Sequence, residues 1–197
     1  MRSCGGKGPL VFCFRRRSHH RTRRPYSGRV PTRLILVSDT HVPQRAKTLP
    51  DEVWAEIDRA DVVVHAGDWN RLPLLDEFED RASTLIAVRG NNDGPEFDDR
   101  LPLVARAEID GVRLAVVHET GSKVGRETRL DAQFGDADLV IFGHSHIPWD
   151  STSDAGLRIL NPGSPTDRRR QPHRTYLTLV LDAGAIRDVE LHRLPTV

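Results

Sequence analysis

Five runs of Val, Ile and Leu, each of strand length and each ending in a polar tip, constrain this chain more than any other feature. They are RLILVS (33–38), DVVVHAG (61–67), TLIAVRG (84–90), RLAVVHE (113–119) and DLVIFGH (138–144). Near-continuous apolar runs of this length read as strands buried on both faces. The segments between several of them carry helical periodicity. PDEVWAEIDRA puts Val53, Trp54, Ile57 and Ala60 on one face, with Pro50, Asp51 and Glu52 suited to a first turn. Leu74, Leu75 and Phe78 mark a second helix, and SKVGRETRLDAQF a third. Strand alternating with helix predicts parallel pairing through crossovers. Between 95 and 112 the pattern lapses into Pro-punctuated, hairpin-like sequence. Beyond 150 it becomes strand only: LRIL, RTYLTLVLD and AIRDVELHRL, with a turn at Gly184. No internal repeat and no second domain stands out.

A chain of 197 residues, 38% of them hydrophobic, suits one globular domain with a sizeable core. No stretch approaches the roughly 18 to 20 consecutive apolar residues needed to span a bilayer, so a membrane role is not expected. The formal charge of +1 conceals a division. Residues 1–33 hold ten basic residues and no acid, which leaves residues 34–197 at −9. The basic stretch lacks sustained periodicity, so residues 1–31 read as a disordered tail ahead of a domain spanning 32–197. Its apolar patch, PLVFCF, precedes most of the arginines and is shorter than a secretory apolar region of roughly 7 to 15 residues. The bland reading gives the tail no specific role; the sharper one makes it a weak electrostatic arm for nucleic acid or an acidic partner. Cys4 and Cys13 both lie in the tail, so the domain has neither a disulfide framework nor a thiolate metal site, and a reducing cytoplasm is the expected location.

The polar tips carry the chemistry. The runs end in Asp39 and His41, in Gly67 and Asp68, in Gly90, Asn91, Asn92 and Asp93, in His118, and in Gly143, His144, Ser145 and His146. From Asp39 to Asp68, Asn91, His118 and His144 the steps are 29, 23, 27 and 26 residues, about one strand, one crossover and the return. The carboxyl ends of strands in an open α/β sheet form the edge where ligands bind. Asp39, His41, Asp68, Asn91, His118, His144 and His146 would converge there. Carboxylates, an amide oxygen and imidazoles without thiolate suit Mn, Fe, Zn or Co better than Ca or Mg. Seven donors exceed what one ion needs, and two ions sharing a carboxylate are a recurring device for phosphate-ester hydrolysis.

The ordered set SDTH, GD, RGNND, VVH and FGHSH resembles the calcineurin-like metallophosphoesterase superfamily, and NPGSPTDRRRQP (161–172) resembles its YfcE-type phosphodiesterases. The likeness covers about residues 33–192. It implies an α/β fold, a four-layer α/β/β/α sandwich of two mixed sheets flanked by helices. It also implies two divalent transition-metal ions, Mn first, with Ni, Co, Fe or Zn as others. One would be held by Asp39, His41, Asp68 and His146, the other by Asp68, Asn91, His118 and His144, with Asp68 bridging and a metal-bound hydroxide attacking phosphorus.

Two departures from the family pattern bear on activity. Asn92 stands where many relatives have a His that protonates the leaving group, and an amide cannot act as a general acid at neutral pH. Aryl esters should therefore turn over better than alkyl esters. At 118–120 a common His-Gly-His becomes His-Glu-Thr, placing Glu119 beside the second ion's site. Asn92 remains the candidate catalytic and substrate-contacting position beside Asp68. Arg168, in a run of three arginines that reads most simply as a solvated face, is a minority candidate for substrate phosphate. His65 and Asp93 read as supporting residues; residues 161–164 read as a turn by composition, and the resemblance implies a place near the site where its backbone amides would meet phosphate. The expected activity is metal-dependent hydrolysis of aryl or nucleotide-like phosphodiesters, with a small phosphate-ester substrate and a homo-oligomer compatible. The alternatives are a phosphomonoesterase, or a non-catalytic scaffold like the retromer subunit that resembles this fold.

Overall fold

The computed structural model describes residues 14–15 and 30–195. A six-stranded sheet runs β1-β4-β3-β2-β10-β11, from β1 (Phe14–Arg15), β2 (Thr32–Val37), β3 (Val62–His65), β4 (Thr84–Ala87), β10 (Arg174–Asp182) and β11 (Ala185–Leu194). A five-stranded sheet runs β5-β6-β7-β9-β8, from β5 (Val104–Ile109), β6 (Val112–Val117), β7 (Leu139–Phe142), β8 (Trp149–Thr152) and β9 (Arg158–Asn161). Strands β2, β3 and β4 are parallel, as are β6, β7 and β9.

The apolar runs are apolar throughout because each strand is covered twice. Side chains alternate across a strand, and in β2 Ile35 and Val37 join a core with Val53, Trp54 and Ile57 of α1 (Asp51–Arg59) and Leu74, Leu75 and Phe78 of α2 (Leu72–Arg81). Leu34 and Leu36 face the other way, into a core shared with Leu114, Val116, Leu139 and Ile141 of the second sheet. The opposite faces of β6 and β7, with Ala115, Val117, Val140 and Phe142, pack on Leu130 and Phe134 of α3 (Arg126–Phe134). Three cores separate four layers, helix, sheet, sheet and helix, as the family resemblance implied. Truncating a fully buried leucine such as Leu34 to Ala should cost about 2–5 kcal/mol.

The structure corrects the simple alternating picture in three places. The chain leaves the first sheet after β4 and enters the second through a 3₁₀ turn (Pro95–Phe97) and the β5–β6 hairpin, so the 27-residue step to His118 contains no helical crossover. The β5–β6 turn uses Asp110 and Gly111 at φ 50° and 81°, both left-handed, as tight hairpins require. The third helix begins only at Arg126, because Gly125 at φ 67° stands outside it. Strand β8 carries no apolar run and was not anticipated. Within the expected tail, Phe14 and Arg15 pair antiparallel with β4 at the sheet edge. Residues 1–13 and 16–29, with both cysteines, lie outside the described residues. Among the described residues no helix is long and apolar enough to cross a membrane.

Candidate metal centre

The polar tips of β2, β3, β4, β6 and β7 meet at one edge of the sandwich, where both sheets present carboxyl ends. The connection after β2 is stitched to that after β3 by Asp39 N–H donating to the Gly67 carbonyl at 2.9 Å and His41 N–H to the Asp68 carbonyl at 3.0 Å. The 161–167 segment holds it from the other side, with Ser164 Oγ donating to the Asp39 carbonyl and Thr166 Oγ1 to the Thr40 carbonyl. Asp39, His41, Asp68, His144 and His146 all adopt left-handed backbone, at φ 55°, 44°, 63°, 67° and 56°. Each such non-glycine residue costs on the order of 1 kcal/mol or more, and such strain clusters at functional sites. Close approach also requires glycine: a Cβ on Gly90 would lie 2.8 Å from the Asp68 carboxyl carbon, and one on Gly67 2.7 Å from His118 Nδ1.

All seven candidate donors come together around Asp68. Its Oδ2 is 3.4 Å from His41 Nε2 and its Oδ1 3.3 Å from His118 Nε2. On the first side, His41 Nε2 and His146 Nε2 are 3.1 Å apart, and His146 Nε2 is 3.5 Å from Asp39 Oδ1. On the second, Asn91 Oδ1 is 2.9 Å from His118 Nε2 and 2.8 Å from His144 Nδ1. Two groupings of carboxylate and imidazole atoms lie within 4.8 Å of one another, Asp39 with His41 and His146, and Asp39 with Asp68 and His118. The second draws Asp39 toward the side where Asn91 and His144 sit.

Proton bookkeeping shows what the cluster lacks. His146 Nδ1 donates to the Asp167 carbonyl at 2.7 Å, and His41 Nδ1 lies 3.2 Å from Asn70 Oδ1. Burial lowers the pKa of His41, and lowers that of His146 to about 4, so both rings are neutral near pH 7. Their Nε2 atoms therefore present lone pairs to each other and to the carboxyl groups of Asp39 and Asp68, with no ring hydrogen between them. Acceptors facing acceptors in a buried site call for a cation. Burial raises Asp39 to about 7. At His118 burial works downward, but the Asp68 hydrogen bond and the charges of Asp39 and Asp68 prevail and raise it to about 9. Asp68 is held below its ordinary value because His118 and Asn92 outweigh burial. With the protons on Asp39 and His118 displaced, this thiolate-free set of N and O donors fits a divalent transition ion.

A model of the calcineurin-like phosphoesterase superfamily domain matches residues 33–184. The chain belongs to that superfamily. A probable metallophosphoesterase of Methanocaldococcus jannaschii is 34% identical over 137 residues, covering 66% of this chain and 67% of the relative. A protein of the same archaeon named as a phosphodiesterase is 28% identical over 145 residues, covering 65% and 81%. Vps29 of Entamoeba histolytica, solved with Zn²⁺, shares the fold at 19% identity with a TM-score of 0.67, over 82% of this chain and 98% of that one.

Around the superfamily's site, this chain supplies its own supports. Asp93 accepts four backbone N–H groups: Trp69 at 2.7 Å and Asn70 at 2.8 Å on Oδ1, Gly90 at 2.7 Å and Asp68 at 3.1 Å on Oδ2. His65, fully buried and stacked on Trp69, accepts the Gly67 N–H through Nδ1. Its Nε2–H thus faces Thr40 Oγ1 at 3.1 Å, whose hydroxyl donates to the Asp68 carbonyl. Asn92 donates to Asp68 twice, from its backbone N–H at 2.9 Å and its side-chain amide at 2.7 Å.

Other positions differ from expectation. Arg168 donates to the carbonyl of Gln171 in its own turn, whereas the charge of neighbouring Arg169 contributes to depressing His41 and His146. The Gly163 N–H is spent on Asn161 Oδ1, so this amide of the 161–164 turn works internally. Sequence reasoning missed Asn70 and Asp167, which orient His41 and His146, and both act through contacts that no spacing announces.

Proposed function

We propose that this metallophosphoesterase hydrolyses phosphodiesters with aryl or nucleotide-like leaving groups, using two divalent ions of which Mn²⁺ is the first candidate. The observation that carries the reading is Asp68, buried between two donor groups with one carboxylate oxygen turned toward each. Asp39, His41, His146 and Asp68 would hold one ion, and Asp68, Asn91, His118 and His144 the other. When bound, such ions supply Lewis acidity at phosphoryl oxygens and a water acidic enough to ionise near neutral pH. The chain's part is positional. Asn70 and the Asp167 carbonyl aim two imidazoles, the Ala66 carbonyl aims His118 at 2.7 Å, and Asp93 fixes the turn bearing Asp68. Asn92 can donate a hydrogen bond but not a proton, so leaving groups that depart as stable anions are favoured. The relative named as a phosphodiesterase supports diesters over monoesters. A cytoplasmic setting agrees with a domain free of cysteine.

The test is hydrolysis of an aryl phosphodiester and its matching monoester by metal-stripped protein, with Mn²⁺, Ni²⁺, Co²⁺, Zn²⁺ or Mg²⁺ restored and Asp68→Ala as control. Restoration of diesterase activity by Mn²⁺ or a similar ion, with the variant dead, is expected. Folded protein that loads two ions yet turns nothing over would overturn the reading in favour of a binding scaffold.

A further inference from the structure

Beside the second donor group lies a cavity of about 310 Å³ between the 89–93 turn and the β5–β6 strands. Asn91 and His118 form its inner wall, while Leu103, Val104 and Val117 form an apolar one. Leu103 is 62% and Val104 37% exposed, two adjacent aliphatic side chains turned to solvent where β5 begins. Glu119 stands at the rim, its Oε1 3.3 Å from His144 Nδ1. Arg89 is paired with Asp98, and the buried Asp93 carboxylate is taken up by four backbone N–H groups, so Glu119 is the exposed carboxylate of the lining that an entering group meets. The size matches the low end of small-molecule pockets, roughly 300 Å³.

We propose that this cavity receives the esterifying group of the substrate, an uncharged aromatic or heteroaromatic alcohol, and that Glu119 makes the enzyme discriminate against doubly charged monoesters. The inference rests on the phosphodiesterase reading above. Because Asn91 and His118, which would hold the second ion, line this cavity, a group esterified to a phosphate at that ion would enter it, and the aliphatic wall gives a flat ring an apolar face to pack on. A diester carries one negative charge and a monoester two near neutral pH. The carboxylate of Glu119 therefore repels the monoester more strongly, and at this exposed rim a difference of about tenfold in kcat/KM is the scale expected. Leu103 supplies ring contact and Glu119 supplies the charge filter, so the two substitutions should separate.

The experiment compares wild type, Leu103→Asp and Glu119→Gln, both at exposed positions. Adenosine and phenol are first titrated into ¹⁵N-labelled metal-free protein. At least one should shift the amides of Leu103, Val104 and Val117, and Leu103→Asp should abolish those shifts. With Mn²⁺ restored, Glu119→Gln should lower the diester-to-monoester ratio of kcat/KM about tenfold by raising monoester turnover, and Leu103→Asp should raise the aryl diester KM about tenfold. Shifts confined to other residues, or ratios equal to wild type in an active enzyme, would overturn the cavity's role while leaving the diesterase reading intact. Ring binding at these three residues in a protein without metal-dependent turnover would sink the diesterase reading and keep the cavity as a binding site.

Discussion

Replacing Asp93 by Asn changes one atom in size and should nevertheless loosen the whole site. The Asp93 carboxylate accepts N–H groups from Asp68, Trp69, Asn70 and Gly90, tying the turn after β3 to the turn after β4. An amide can present only one oxygen, so its NH₂ would face two of those donors across distances of 2.7–3.1 Å. Stranding two buried N–H groups costs about 1–3 kcal/mol each. Part is recovered, because burial and the neighbouring Asp68 already disfavour the Asp93 charge and raise its pKa. A net loss of roughly 3 kcal/mol follows, equivalent to a fall in Tm of about 6–12 °C for a domain of this size. Urea unfolding of the metal-free protein should show it as a lower midpoint at unchanged slope. Titration calorimetry with Mn²⁺ should show at least a tenfold weaker affinity, on the order expected for loss of a ligand-orienting contact. A variant within 0.5 kcal/mol of wild type (roughly the scatter of surface substitutions) and binding Mn²⁺ equally well would refute the claim that this carboxylate organises Asp68.

Other outcomes follow from the same geometry. Asp39 is raised from 3.8 to about 7 and His118 from 6.5 to about 9. Between pH 4 and 7 the folded metal-free protein keeps a proton on Asp39 that the unfolded chain loses. His118 likewise contributes stability that is full below 6.5 and gone above about 9. Below 6.5 the depressed rings of His41, His65 and His146 work the other way, because the unfolded chain protonates them and the folded protein does not; metal-free stability should therefore fall only as pH rises from about 7 to 9, and Mn²⁺ loading at pH 6 should release about two protons, measurable by calorimetry in buffers of different ionisation enthalpy. Gly90→Ala pushes a methyl against the Asp68 carboxylate and should cut Mn²⁺ affinity at least about tenfold while near-ultraviolet circular dichroism stays native. Asn92→His provides an acid where an amide stands and should raise kcat for alkyl diesters by at least about tenfold, with aryl diesters little changed; equal gains on both would refute the assignment.

Much of the site was legible because chemistry and backbone period coincide. A strand covered on both faces must be apolar until it ends, so SDTH, GD, GNND, VVH and GHSH announce themselves by contrast with the runs before them. Helices α1 and α2 were legible for a similar reason, since Val53, Trp54, Ile57, Leu74, Leu75 and Phe78 repeat at helical spacing and are all buried. Strand β8, with the sequence WDST and an alternating half-exposed pattern, offered no such contrast.

The sequence by itself determined which atoms are available: three carboxylates and amides with the right oxygens, four imidazoles, and no thiolate in the domain. Only tertiary structure decided how they face one another. The division of the five tips between two sheets depends on packing Leu34 and Leu36 against Leu114 and Ile141, contacts between residues nearly 80 or more apart. The left-handed backbone at five donor positions is not written in the identities Asp and His. Around Asp39 and His41 it is held by their N–H groups donating to the Gly67 and Asp68 carbonyls, and by the Ser164 and Thr166 hydroxyls donating to the carbonyls of Asp39 and Thr40, bonds that exist only after the connections have been brought together. Glu119 reaches His144, and Asn70 and Asp167 orient His41 and His146, for the same reason. Side-chain direction over a few ångströms is set by long-range packing, and packing is a property of the folded whole.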